Sequence, residues 1–163
     1  MVHSSYYQKA KYHISYRWRL FLTIFAILYP MLVSVHSFLP FFFGVAGYVF
    51  MTGIRAQNIP LIIISGFYLL NLEINLSMPL FGSIIAILLF YLFVFPKIKG
   101  WLHNKSFIPV LSVIFIYLTY YVVLLIDDLI FLTSNHDINF TWILFFSFVI
   151  DILLMVFYDY NEK

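Results

Sequence analysis

The residues best equipped for chemistry are two acids and two amides set in apolar sequence. Glu73 lies in Asn71-Leu72-Glu73-Ile74-Asn75, and Asp151 in Phe148-Val149-Ile150-Asp151-Ile152-Leu153-Leu154. Asn71 and Asn75 are four residues apart and share a helix face, with Glu73 two residues from each. Polar groups in such surroundings relay protons or ions, bind a partner across an interface, or lock helices together by hydrogen bonding, and locking is the commonest use. Pro79 and Gly82, in the turn that follows, join Asn71, Glu73, Asn75 and Asp151 as candidates for bundle locking or an interface. No Lys or Arg shares their apolar stretches, so each acid must be neutralised by a proton or held by hydrogen bonds.

Other chemistry finds no support. There is no Gly-rich phosphate loop, no His-Glu-x-x-His and no Gly-x-Ser-x-Gly, and the chain has no cysteine. The histidines are His3, His13, His36, His103 and His136, too scattered to converge on one metal. No catalytic residue, metal or cofactor is therefore expected, and an enzyme is not the expected class.

The elements that position the acids follow from length and charge. The chain is 64% hydrophobic and 10% charged with mean hydropathy +0.99, too few charges to clothe a soluble domain. From Trp18 to Ile54 it runs about 37 residues, roughly 55 Å as one helix against about 30 Å of hydrocarbon. It must fold back once, and His36-Ser37-Phe38-Leu39-Pro40 supplies the break. Ile59 to Phe95 repeats the problem and breaks at Ser77-Met78-Pro79. A third pair is joined by Thr133-Ser134-Asn135-His136-Asp137-Ile138-Asn139. The expectation is one all-α integral membrane domain over residues 1–163, a bundle of six transmembrane helices at about 18–36, 39–54, 59–77, 80–95, 107–132 and 140–158. All nine basic residues then fall on one side with both termini, which the positive-inside rule makes cytoplasmic.

This layout assigns depths and faces. Glu73 lies about 21 Å and Asp151 about 16 Å along their spans, both within hydrocarbon. The amides and acid make the third span the most polar, which predicts an interior position for it. Asp127 and Asp128 reach the outer interface on the side of Tyr120 and Tyr121 and are candidates for an outer-face contact. Lys97, Lys99 and Lys105 are candidates for an inner-face contact with anionic lipid or cytoplasmic partners. The net charge of +2 belongs to that face, and nucleic acid is not implied. Trp18, Trp101 and Trp142 sit at span ends as interfacial anchors. Gly44-Val45-Ala46-Gly47, Ser65-Gly66 and Gly82-Ser83 allow close helix approach.

Several of these features together resemble the MreD family of rod-shape-determining bacterial membrane proteins. They are Tyr16-Arg17-Trp18-Arg19, the turn Phe38-Leu39-Pro40, a short second span ending at Arg55, and Gly66-Phe67 followed by Glu73. Pro79-Leu80-Phe81-Gly82 and an apolar span ending in Pro96-Lys97-Ile98-Lys99 complete the likeness. The chain departs from the family pattern in carrying Glu rather than Asp at position 73, one residue off the usual spacing, and in placing Phe81 between Leu80 and Gly82. The resemblance implies a non-catalytic adaptor of the cell-wall elongation machinery in the bacterial inner membrane. Its partners would be a bitopic MreC-like protein and, through it, an actin-like MreB filament and peptidoglycan synthases, with spans two to four packing on the partner's helix. The same size and topology also suit the substrate-binding membrane subunit of an energy-coupling-factor-type uptake transporter. That alternative predicts a polar outer pocket built from Asn71, Glu73, Asn75, Asp127 and Asp128.

Overall fold

The computed structural model describes residues 16–36, 38–101, 107–131 and 138–161, and all regular structure among them is helical. Helix α1 (Tyr16–Val35) is followed by α2 (Phe43–Ala56), α3 (Ile59–Asn75) and α4 (Gly82–Leu89). A π-helical segment at Phe90–Val94 joins α4 to α5 (Phe95–Trp101), and α6 (Ile108–Phe131) and α7 (Ile138–Asn161) close the bundle. Counting α4, the π segment and α5 as one, the described residues form six rods in the expected order.

Prolines account for most of the boundary differences. Pro40 and Pro79 do not open α2 and α4, which start three residues later, because Phe42 and Phe81 stand at their N-caps in the left-handed region (φ 46° and 66°). A span ending at Phe95 before Pro96 was expected, yet the helix runs on through Pro96 to Trp101. Pro96 lacks an N–H and its ring crowds the carbonyl of Leu92, and Leu92 lies within the π segment, where the wider turn absorbs the misfit. Pro30 likewise sits inside α1 without ending it.

Helix α2 holds the centre, packing on α3, α4, α6 and α7, while α1 packs chiefly on α3. No large apolar side chain of α2 is exposed, whereas α3 shows Ile59, Ile63, Phe67 and Ile74 to the outside. The interior position expected for the polar third span holds for one face: its amides and acid turn inward, and its other face is open. Close approach explains the central place of α2. A Cβ on Gly44 would lie 2.6 Å from Val113 Cγ1, and one on Gly47 would lie 3.1 Å from Ile116 Cγ2. The outer ring of exposed side chains is apolar on every rod but α2, including Phe21, Ile63, Phe93, Leu118 and Phe145.

The rods are not flush. Ile108–Ile130 within α6 is the one helix among the described residues long and apolar enough to cross a membrane, and the others are shorter apolar helices. The N-terminus of α2 meets Tyr117 and Asp151, which lie about 14 and 13 residues from the ends of α6 and α7 that adjoin the 132–137 segment, or roughly 20 Å. Gly82, opening α4, faces Tyr120 at a similar depth. The α6–α7 hairpin therefore extends well beyond the turns that precede α2 and α4.

Candidate functional site

The two acids of the sequence occupy equivalent posts. An α-helix begins with four N–H groups that have no partner within the helix. At the start of α4, Glu73 reaches from the end of α3 and takes two of the N–H groups there: the Phe81 amide donates to Oε2 at 2.8 Å and the Ser83 amide to Oε1 at 2.5 Å. At the start of α2, the Gly44 amide donates to Asp151 Oδ2 at 2.7 Å, and the Tyr117 hydroxyl donates to the same oxygen at 2.8 Å. Both acids are fully buried. Each sets a carboxyl group against the positive end of a helix dipole, the end that favours an acid where no Lys or Arg is at hand, and Asp151 Oδ1 is left without a hydrogen-bond partner among the described residues.

The two turns share a local pattern. Pro40-Phe41-Phe42-Phe43-Gly44 and Pro79-Leu80-Phe81-Gly82-Ser83 both run from proline through a left-handed phenylalanine N-cap to a small residue whose amide meets the acid. A small residue is needed because the carboxylate must reach the backbone. The registers differ in where the acid comes from. Glu73 precedes its own helix by one turn of chain, whereas Asp151 arrives from α7, 107 positions away.

The first turn is bound more thoroughly than the carboxylate alone requires. Tyr29 donates to Pro40 O at 2.8 Å, Tyr68 donates to Phe41 O at 2.6 Å, and the Phe41 amide donates to Ser147 Oγ at 3.0 Å. Tyr29, Tyr68, Tyr117 and Ser147 escaped the sequence reading because one hydroxyl among 13 tyrosines looks like any other. The repeated proline-to-small pattern was the available signal, since two helix starts of one kind need two acceptors.

Asn71 works elsewhere. Pro30 has no N–H, so the carbonyl of Ala26 loses its helical donor, and Asn71 Nδ2 donates to Ala26 O at 3.2 Å and to Ile27 O at 2.9 Å. Asn75 Nδ2 donates in turn to Asn71 Oδ1 at 2.8 Å, orienting that amide. The expected shared face of the asparagines is thus used to splice α1 onto α3. Pro79 lies in the second turn and accepts from the Gly82 amide at 3.2 Å. Asp127 and Asp128 are half-buried near the far end of α6 and make no common cluster with Glu73. Lys97 is exposed on α5. The side chain of Lys99 and the whole of Lys105 lie outside the described residues.

Next to this polar frame lies a cavity of about 310 Å³. Phe25 and Ala26 of α1 form one wall, Val45 and Val49 of α2 another, and Ile64 of α3 the floor, with Leu154 of α7 at the edge. Its two hydroxyls are turned to backbone, Ser65 donating to Leu61 O at 2.6 Å and Tyr68 to Phe41 O. None of Asn71, Glu73, Asn75, Asp127 or Asp128 lines it, so the polar pocket expected for a solute carrier does not form there. No group of three or more His, Cys, Asp or Glu comes together among the described residues. No protein-family model, curated protein or solved structure matches the chain.

Proposed function

We propose that the protein is a non-catalytic membrane adaptor of the MreD type, a six-span bundle of the bacterial inner membrane with both termini in the cytoplasm. In this reading it binds the single transmembrane helix of a bitopic MreC-like partner and thereby serves the cell-wall elongation machinery. The observation that carries it is the apolar groove between α1 and α2: it is lined almost wholly by hydrocarbon and floored by α3, a shape suited to the ridge of an apolar helix and offering a polar solute nothing to bond. The docking face is then α1 to α3, not spans two to four. Two further features support the membrane setting. The periphery is apolar, and Arg55 and Lys97 are exposed at the same end of the bundle.

Glu73 belongs to the frame of this adaptor and not to its contact, because both its oxygens are taken by backbone amides. The test is co-purification of the bitopic partner from cells. Ala46→Phe, which fills the groove, should lower partner recovery and round the cells while protein level holds. Full partner recovery with Ala46→Phe would reject the groove as the docking face. Glu73→Gln should act through protein level, and unchanged shape, recovery and level would reject even the framing role of Glu73.

A further inference from the structure

The short helices and the depth of the two turns have a common consequence for the lipid around the protein. From Phe42 to Arg55 the α2 rod measures about 20 Å, and from Phe81 to Lys97 the α4–α5 rod measures about 24 Å, against roughly 30 Å of hydrocarbon. From Ile108 to Asp128, α6 measures about 30 Å. One side of the bundle therefore matches a bilayer and the other falls short of it.

The turns themselves are dressed for lipid. Phe38 is 93% exposed, Leu80 60% and Phe81 53%, so large apolar side chains crown both turns, with His36 and Ser77 exposed at their edges. Their backbone is dressed the same way. Pro40 O, Phe41 N, Phe41 O, Gly44 N, Phe81 N and Ser83 N all bond side chains of the protein. Water would serve those groups at an interface, whereas in hydrocarbon irregular backbone survives only where the protein itself satisfies it. The neighbouring stretch of the α6–α7 hairpin is apolar too, with Val122, Leu125, Phe145 and Phe146 exposed, which fits it to acyl chains and not to solvent.

From these lengths, crowns and bonds we infer that the protein holds two turns inside the membrane on one side: the turns before α2 and α4 lie at hydrocarbon depth in the outer leaflet, covered by phospholipid acyl chains, while α6 and α7 beside them span the full bilayer. The inference rests on the membrane reading above. Its occupant is bulk phospholipid of the outer leaflet, whose acyl chains close over the turns.

The chain has no cysteine, so single-cysteine spin labels report position cleanly. The full chain would carry Phe38→Cys, Leu80→Cys, Leu129→Cys or Leu118→Cys, all at exposed positions, and be reconstituted without partner in phosphatidylcholine vesicles. Collision rates with oxygen, which concentrates in hydrocarbon, and with a water-soluble nickel chelate would be compared. Labels at 38, 80 and 118 should favour oxygen severalfold, and the label at 129 should meet both at headgroup-like rates. Nickel access at 38 and 80 with 118 still protected would overturn the submerged turns and leave the membrane reading standing. Nickel access at 118 would overturn both.

Discussion

Glu73 and Ser83, ten positions apart, are joined by a 2.5 Å hydrogen bond in which the Ser83 amide donates to the Glu73 carboxylate. With the 2.8 Å bond from the Phe81 amide, it makes an acid from one helix the N-terminal cap of the next. The acid is thereby spent on architecture, and four predictions follow the same logic through the bundle.

Glu73→Gln keeps size but offers one acceptor oxygen in place of two and turns an NH₂ group toward backbone N–H. One buried amide is left unsatisfied, at a cost of about 1–3 kcal/mol. Thermal unfolding in detergent should show a lowered midpoint. Glu73→Asp should also lose stability, because a side chain one methylene shorter cannot meet both amides at their present distances.

Asp151 and Tyr117 act on one another and on Gly44. Removing the hydroxyl with Tyr117→Phe and the carboxyl with Asp151→Asn should each destabilise, but the double variant should lose less than their sum. A coupling of about 0.5–3 kcal/mol is expected for groups in one hydrogen-bond network. Strict additivity in a double-mutant cycle would show that the 2.8 Å contact carries no energy.

The two glycines in the first turns of the capped helices should respond differently to alanine. At Gly44 the new Cβ would meet Val113 Cγ1 at 2.6 Å and Tyr117 Cε2 at 2.7 Å, an overpacking that costs about 1–3 kcal/mol. At Gly82 the nearest atom is Pro79 Cβ at 3.6 Å, ordinary contact, and stability should change by less than about 0.5 kcal/mol. Equal effects on the unfolding midpoint would contradict the close α2–α6 crossing.

Asn71→Leu should destabilise by about 1–3 kcal/mol by stranding the carbonyls of Ala26 and Ile27. Pro30→Ala restores an N–H four residues after Ala26, so it should recover much of that loss in the double variant. No recovery would show that Asn71 does not substitute for the missing helix donor.

Much of the frame was legible from residue order. Basic residues and proline-marked breaks located six helical rods, because apolar runs of a given length can be folded in few ways. The buried state of Glu73 and Asp151 was legible for the same reason, since each sits deep in an apolar run. What each acid touches was not. The Pro40 and Pro79 breaks looked like simple ends of spans, and only the left-handed Phe42 and Phe81 moved the helix starts inward to where an acid could meet them.

By itself, then, the sequence determined the helical class, the order of the rods and the isolation of two acids from any cation, because these depend on local composition and length. Tertiary structure alone decided that Asp151 serves a helix 107 positions away, that α2 and not α3 is central, and that the α6–α7 hairpin outreaches its neighbours. The physical reason is that an unpaired helix start will accept any acceptor that reaches it, and which one does depends on how glycines such as Gly44 let the rods cross.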